Sequence, residues 1–287
     1  MDLKMRTKTY IDAETGVVFE NVSYLKLESQ VKNEKKYHKT TKVKREFKDE
    51  YGGFVFKTDT KKSKRVDDSI TNSDLAKILY VSTFINYDNV IQTDDKRNMN
   101  KNDLKEILGV NKNIFYAWYN KMVKLKVIVE SDTKLSISNG YVIKGEISGK
   151  KRYNRVFINS IRDIYESNIG KKASTVGHIM RLLKYVNRYG NVLCWNPDEY
   201  DEEKVELMTI GQILPQLKEY KNNPKLFMDT IDQYRLSNGE PIIVFFSTKS
   251  ESSKQYMMMN PSLTFSGKLD SMKSVRDIFK MLKNQRL

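Results

Sequence analysis

MNKNDLKEILGVNKNIFYAWYNKMVKLKVI, residues 99–128, holds two helix-like patterns separated by Gly109-Val110-Asn111. Asn100 is placed to cap the first helix, and Gly109 to end it, because glycine enters the left-handed conformation without steric cost. Asn111 is placed to cap the second. Within that second helix Phe115, Trp118, Met122 and Leu125 recur at spacings of 3, 4 and 3, and Ile114 widens the stripe. That face is predicted to enter a core. Lys112, Asn113, Tyr116, Asn120 and Lys124 fall on the opposite face, and residues 107–129 contain no acid.

Working outward, Asn72 or Ser73 is placed to cap an earlier helix with Leu75, Ile78, Leu79, Ser82 and Ile85 on one face. Downstream, VIVESDTKLSISNGYVIKGEI alternates, with turns at Ser131-Asp132 and Asn139-Gly140. Helix, helix, short turn, helix, hairpin is the order of a winged helix-turn-helix.

The last third repeats the pattern. YDNVI (87–91) recurs as YGNVL (189–193), and FINSI (157–161) is matched with MNPSL (259–263), at nearly the same offset. A helix over 174–189, a short helix from Thr209 and a third from Asn223-Pro224 precede strand-like IIVFFST and SKQYMMMNP. Before all this, TYIDAETGVVFENVSYLKLE reads as strand, turn at Glu14-Thr15-Gly16, strand. A basic connector follows, then YGGFVFKTDTKKSKRVDDS as a short strand and polar linker. The predicted fold class is α+β: an N-terminal β arm (1–69) followed by tandem winged helix-turn-helix domains at 70–165 and 171–287.

The chain of 287 residues carries a formal charge of +15, which favours a polyanionic partner. Residues 32–48 hold eight basic and two acidic residues, and GKKRYNR (149–155) adds another basic run. PDEYDEEKVE (197–206) is the acidic exception, with six carboxylates. The single cysteine, Cys194, excludes an internal disulfide and points to a reducing compartment. His38 and His178 lack neighbours at ligand spacing, so no metal or other cofactor is expected. No apolar run approaches 18 residues and the start has no secretory core, so a cytoplasmic protein with no membrane partner is expected. Neither a Walker loop nor GxGxxG occurs, and Asp67-Asp68 and Asp94-Asp95 read as solvated acids rather than a nuclease centre. An enzyme is not expected.

The exposed face of the 111–124 helix suits double-stranded DNA. Asparagine can pair with adenine through two hydrogen bonds, tyrosine and lysine reach phosphate, and Ala117 leaves room for a thymine methyl. Lys121 joins Lys112, Asn113, Tyr116, Asn120 and Lys124 in the predicted contact set. Lys134 and Lys144 on the wing, with Lys150, Lys151 and Arg152 beyond it, are predicted to lie along the DNA backbone. A solvated lysine-rich face is the alternative. In the second unit PKLFMDTIDQYRL turns Phe227, Ile231 and Tyr234 inward but offers Asp229 and Asp232, which repel phosphate. Three roles stay open for it: forming a homodimer; contacting DNA through Lys171, Lys172, Arg181, Lys184 and Arg188; or binding replication or transcription proteins, with the acidic loop 198–206 as a docking loop.

TKTYIDAETGVV near the start and QYMMMNPSLTFSG near the end resemble the opening and closing motifs of RepL-type plasmid replication proteins of Firmicutes. LAKILYVSTFINYD followed by NKNDLKEILGVNKNIFYAWYNKMV is similar to phage-encoded helix-turn-helix proteins of low-GC Gram-positive hosts. The resemblance covers scattered segments of about half the chain. It departs from the RepL pattern in having two winged units, a long basic connector, and Val17 where that family tends to an acid. It implies replication initiation or control on a phage or plasmid, or else regulation of transcription at promoters. A protein-interaction module on winged-helix scaffolds is the reading from another class.

Overall fold

Thr71 and Asp74 begin the helix around which the larger part of the fold is assembled. In the computed structural model, which describes residues 3–11, 18–27, 45, 49–145, 153–168, 173–217, 223–248 and 251–284, Thr71 Oγ1 accepts from the Asp74 amide at 3.1 Å. Asp74 Oδ2 in turn accepts from the Thr71 amide at 3.2 Å. The cap is therefore Thr71, not Asn72 or Ser73. A reciprocal box needs an acceptor three residues after the cap, and only Thr71 has an acid there.

The chain divides into two compact units, residues 1–50 and 51–287. In the first, β1 (Leu3–Ile11) pairs antiparallel with β2 (Val18–Leu27), Leu3 opposite Leu27 and Ile11 opposite Val18. The turn at 14–16 and, apart from Arg45, the basic connector 32–48 lie outside the described residues. The arm expected to reach residue 69 stops at 50. Phe54–Thr58 forms β3 inside the second unit, and the expected polar linker is a helix, α1 (Lys61–Ser69), begun by a Thr60–Ser63 capping box.

The second unit continues with α2 (Asn72–Val81), a 3₁₀ turn (Ser82–Phe84), α3 (Lys101–Leu108), α4 (Lys112–Lys124) and the hairpin β4 (Ile128–Ser131) and β5 (Lys134–Ile137). Then come β6 (Val142–Ile143), β7 (Tyr153–Phe157), α5 (Ile158–Glu166), α6 (Ala173–Leu182) and a second 3₁₀ turn (Leu183–Tyr185). After α7 (Ile210–Leu217) and α8 (Pro224–Ile231), the hairpin β8 (Ile243–Thr248) and β9 (Glu251–Met259) leads to α9 (Met272–Asn284). Strands β6, β3 and β7 form one antiparallel sheet in that order. The chain is thus α+β, and none of its described helices is long and apolar enough to cross a membrane.

The predicted caps at Asn100 and Asn111 are present, as is Gly109 at φ +61°. Helix α2 differs from its predicted one-sided burial. Asn72 and Asp74 through Val81 are all buried, because α6, α5 and α3 pack around it. The crossing with α6 is tight: a Cβ added at Gly177 would sit 1.9 Å from the Asn72 carbonyl oxygen.

Two halves of this unit use one contact scheme. Asn89 and Asn191, the matched asparagines of YDNVI and YGNVL, both have left-handed backbone, at φ 59° and 57°. Asn89 Nδ2 donates to the carbonyls of Ile137 (3.0 Å) and Val142 (2.6 Å). Asn191 Nδ2 donates to those of Met259 (3.1 Å) and Thr264 (2.7 Å). Ile137 N donates to Asn89 O, and Met259 N to Asn191 O, each at 2.9 Å. Asn86 and Asn187 each accept, through Oδ1, from two amides of the following turn. The second anchor is different. By these bonds MNPSL corresponds to ISNGY (137–141), whereas FINSI ends β7 and begins α5. FINSI touches MNPSL instead of matching it: Ser160 Oγ donates to Ser262 O at 2.6 Å.

The halves meet along strands β3 and β7, which pair antiparallel with Val55 opposite Val156, and α2 packs on α6. One continuous core runs from Val55 to Leu263. Packing therefore shows no boundary near residue 170.

Candidate functional site

Helix α4 is held by its inner face. Phe115, Trp118, Tyr119 and Met122 are buried, and burying each such side chain stabilises by about 1.5–3 kcal/mol. Tyr119 takes the place foreseen for Ile114, which is 48% exposed. It lies one turn beyond Phe115, and its hydroxyl donates to Glu130 at 2.7 Å. Trp118 Nε1 donates to Asp74 O at 3.3 Å, tying α4 to the first turn of α2.

The outer face presents Lys112, Asn113, Tyr116, Ala117, Asn120 and Lys124, all exposed, with Tyr116 at 39%. Among the described residues the side chains of Lys112, Asn113, Asn120 and Lys124 have no hydrogen-bond or ion-pair partner. Lys134 is also exposed, beside the β4–β5 turn.

Two further predicted contacts have structural work. Lys121 Nζ donates to Asp74 Oδ2 at 2.8 Å. Burial pushes the Asp74 carboxyl up, but the bonds from Lys121 and Thr71 outweigh it and hold the carboxyl below its usual range. Lys144 is half-buried, and its Nζ donates to Ile85 O at 2.7 Å. Lys150, Lys151 and Arg152 lie outside the described residues. The contacts of Asp74 and Glu130 are not legible in the sequence because their partners, Lys121, Trp118, Tyr119 and Lys101, belong to other elements. Lys126, exposed just beyond α4 with φ 54°, was legible only as part of the lysine run.

The equivalent surface in the second half differs. Helix α8 exposes Lys225, Asp229 and Leu226, the last at 52%. Helix α9 packs on β8, and a groove of about 790 Å³, lined by Met228, Asp229, Phe246, Gln255 and Leu282 among others, separates its end from α8. The basic residues foreseen on α6 and just after it are largely committed. Arg181 caps the end of α1, donating to the carbonyls of Asp67 (2.7 Å) and Ile70 (2.6 Å). Arg188 pairs with Asp198 at 2.7 Å, and Lys184 lies over the Tyr185 ring at 4.9 Å. Lys171 and Lys172 are outside the described residues.

The acidic loop is braced rather than loose. Asn196 accepts from the Glu206 amide and donates to Lys204 O, Asp201 accepts from the Glu203 amide, and Tyr200 stands 77% exposed. Of the paired acids, Asp67 accepts from Lys57 Nζ (3.0 Å) and the Tyr141 hydroxyl (2.6 Å). Asp94 accepts both ends of the Arg162 guanidinium. Burial pushes the Cys194 thiol up to about 11. No group of three His, Cys, Asp or Glu side chains able to hold a metal occurs among the described residues.

An exposed helix face of amide, phenol and ammonium groups, with no partner of its own for four of them, is what the geometry offers to a ligand. No protein-family model, curated protein or solved structure matches the chain.

Proposed function

We propose that this protein binds double-stranded DNA through tandem winged helix-turn-helix units, acting in the cytoplasm in phage or plasmid replication initiation or its control. Helix α4 enters the major groove, and the β4–β5 hairpin is the wing, with Lys134 on the backbone. The observation that carries this reading is the outer face of α4. It is exposed and free of acids, and Lys112 and Lys124 at its two ends are paired with nothing among the described residues. The net charge of +15 supports it by favouring encounter with a polyanion. The second unit supports the first, because Asp229 on α8 disfavours phosphate. Lys121 and Lys144 act as braces for the reading helix and the wing.

Exchanging Lys112→Glu and Lys124→Glu together tests the proposal. Each lysine on a phosphate contributes about 0.9 to the slope of log affinity against log salt. The double variant is expected to bind duplex DNA at least tenfold more weakly and to lose roughly two of those contacts from the slope. Unchanged affinity and slope would exclude α4 as the reading helix. Selection of bound fragments from the source genome then separates roles: clustered repeats at an origin support replication, and promoters point to a transcriptional regulator. An absence of salt-sensitive binding to any duplex would favour a protein-interaction module.

A further inference from the structure

We infer that the α4 face reads A·T base pairs, an inference that rests on the DNA-binding reading above. Asn113, Ala117 and Asn120 lie at positions i, i+4 and i+7 of one exposed stripe, with Tyr116 beside them and Lys112 and Lys124 at its ends. At a rise of 1.5 Å per residue the stripe from Asn113 to Asn120 spans about three base-pair steps.

Its chemistry is selective. A carboxamide meets adenine with its oxygen on the N6 amino group and its amide N–H on N7. On guanine the same oxygen would face O6, acceptor against acceptor. A methyl group such as that of Ala117 packs on the thymine methyl, and it leaves the cytosine amino group without an acceptor. The stripe holds neither an arginine, the commonest reader of guanine, nor a carboxylate, which would accept from cytosine. The lysines lie at the first and last turns, where they are spaced to meet phosphates on either side.

The fold uses many of the other asparagines, though exposed Asn102 on α3 is also without a side-chain partner among the described residues. Asn100, Asn111 and Asn223 cap helices, while Asn86, Asn89, Asn187 and Asn191 organise turns and hairpins. Asn113 and Asn120 have no partner among the described residues. Asparagine is also among the weaker helix formers, so neither residue is present for the sake of α4 itself.

The test uses the full-length chain and a randomised duplex library. Selection should return a short A·T run within the protected site. Replacing one adenine of that run by 7-deazaadenine, which lacks N7, is expected to weaken binding roughly 10- to 100-fold. Uracil in place of thymine should weaken binding severalfold where Ala117 contacts the methyl. Asn113→Ala and Asn120→Ala should abolish discrimination between A·T and G·C at their positions while leaving the salt slope unchanged and the melting temperature equal or slightly higher. A G·C core, no sequence preference, or full tolerance of 7-deazaadenine would each overturn the inference while salt-dependent binding still stood. Loss of all salt-dependent binding to duplexes would overturn the DNA reading and this inference together.

Discussion

Asn89 and Asn191 show how single side chains organise each half. Each occupies left-handed backbone and bridges the carbonyl at the end of a hairpin strand to another five residues further on. Replacement by alanine leaves buried carbonyls unpaired, at about 1–3 kcal/mol, and puts alanine in a left-handed backbone that asparagine, whose short side chain hydrogen-bonds locally, enters more readily. Asn89→Gly should keep the conformation and lose only the bonds. Urea titration is expected to rank wild type above Asn89→Gly above Asn89→Ala, and the Asn191 pair should follow the same order. Equal stability of the glycine and alanine variants would remove the backbone part of the argument. These asparagines were visible in the sequence only as a repeated string; the carbonyls they hold lie 48 to 73 residues away. The Lys121–Asp74 and Arg181–Ile70 contacts were not visible, because nothing local indicates which distant element a basic residue will face.

Among the elements, α4 was legible in both its span and its buried face, whereas for α2 the helix was legible but its burial was not. A helix with one face in a core repeats its apolar residues every three or four positions, and Phe115, Trp118 and Met122 do so. Helix α2 is covered on every side, so its buried set includes Asn72, Asp74 and Lys77, which carry no apolar signal. Its contact with α6 depends on Gly177 having no side chain. Gly177→Ala should destabilise by about 1–3 kcal/mol through overpacking against backbone that cannot yield. Gly211→Ala, in α7 with its nearest such neighbour 4.0 Å away, is expected to be neutral or to stabilise by up to about 1 kcal/mol. Thermal melts of the two variants compare them directly, and a neutral Gly177→Ala would mean the helices can part without loss.

At the scale of the molecule, the duplication was legible from one of its two anchors. The other failed because strings as short as FINSI and MNPSL resemble each other by chance, and their hydrogen-bond partners separate them. A domain boundary between the halves was expected from their likeness, yet they share β3–β7 pairing and a continuous core. A chain starting at Tyr51 and running to Leu287 should melt in one cooperative transition. Residues 51–145 alone, lacking β7 and α6, should give a poorly dispersed amide spectrum; a well-dispersed spectrum from a monomer of that fragment would show that one half is self-sufficient.

The pairing of Val55 with Val156 also sets the kinetic order of assembly. Two separate copies of such a half would have to meet by diffusion, and the fraction joined would fall on dilution. Here the partner strand is carried on the same chain, at an effective concentration that does not depend on how much protein the cell makes. Joining of the two halves is therefore a first-order event, and it persists at single-molecule abundance.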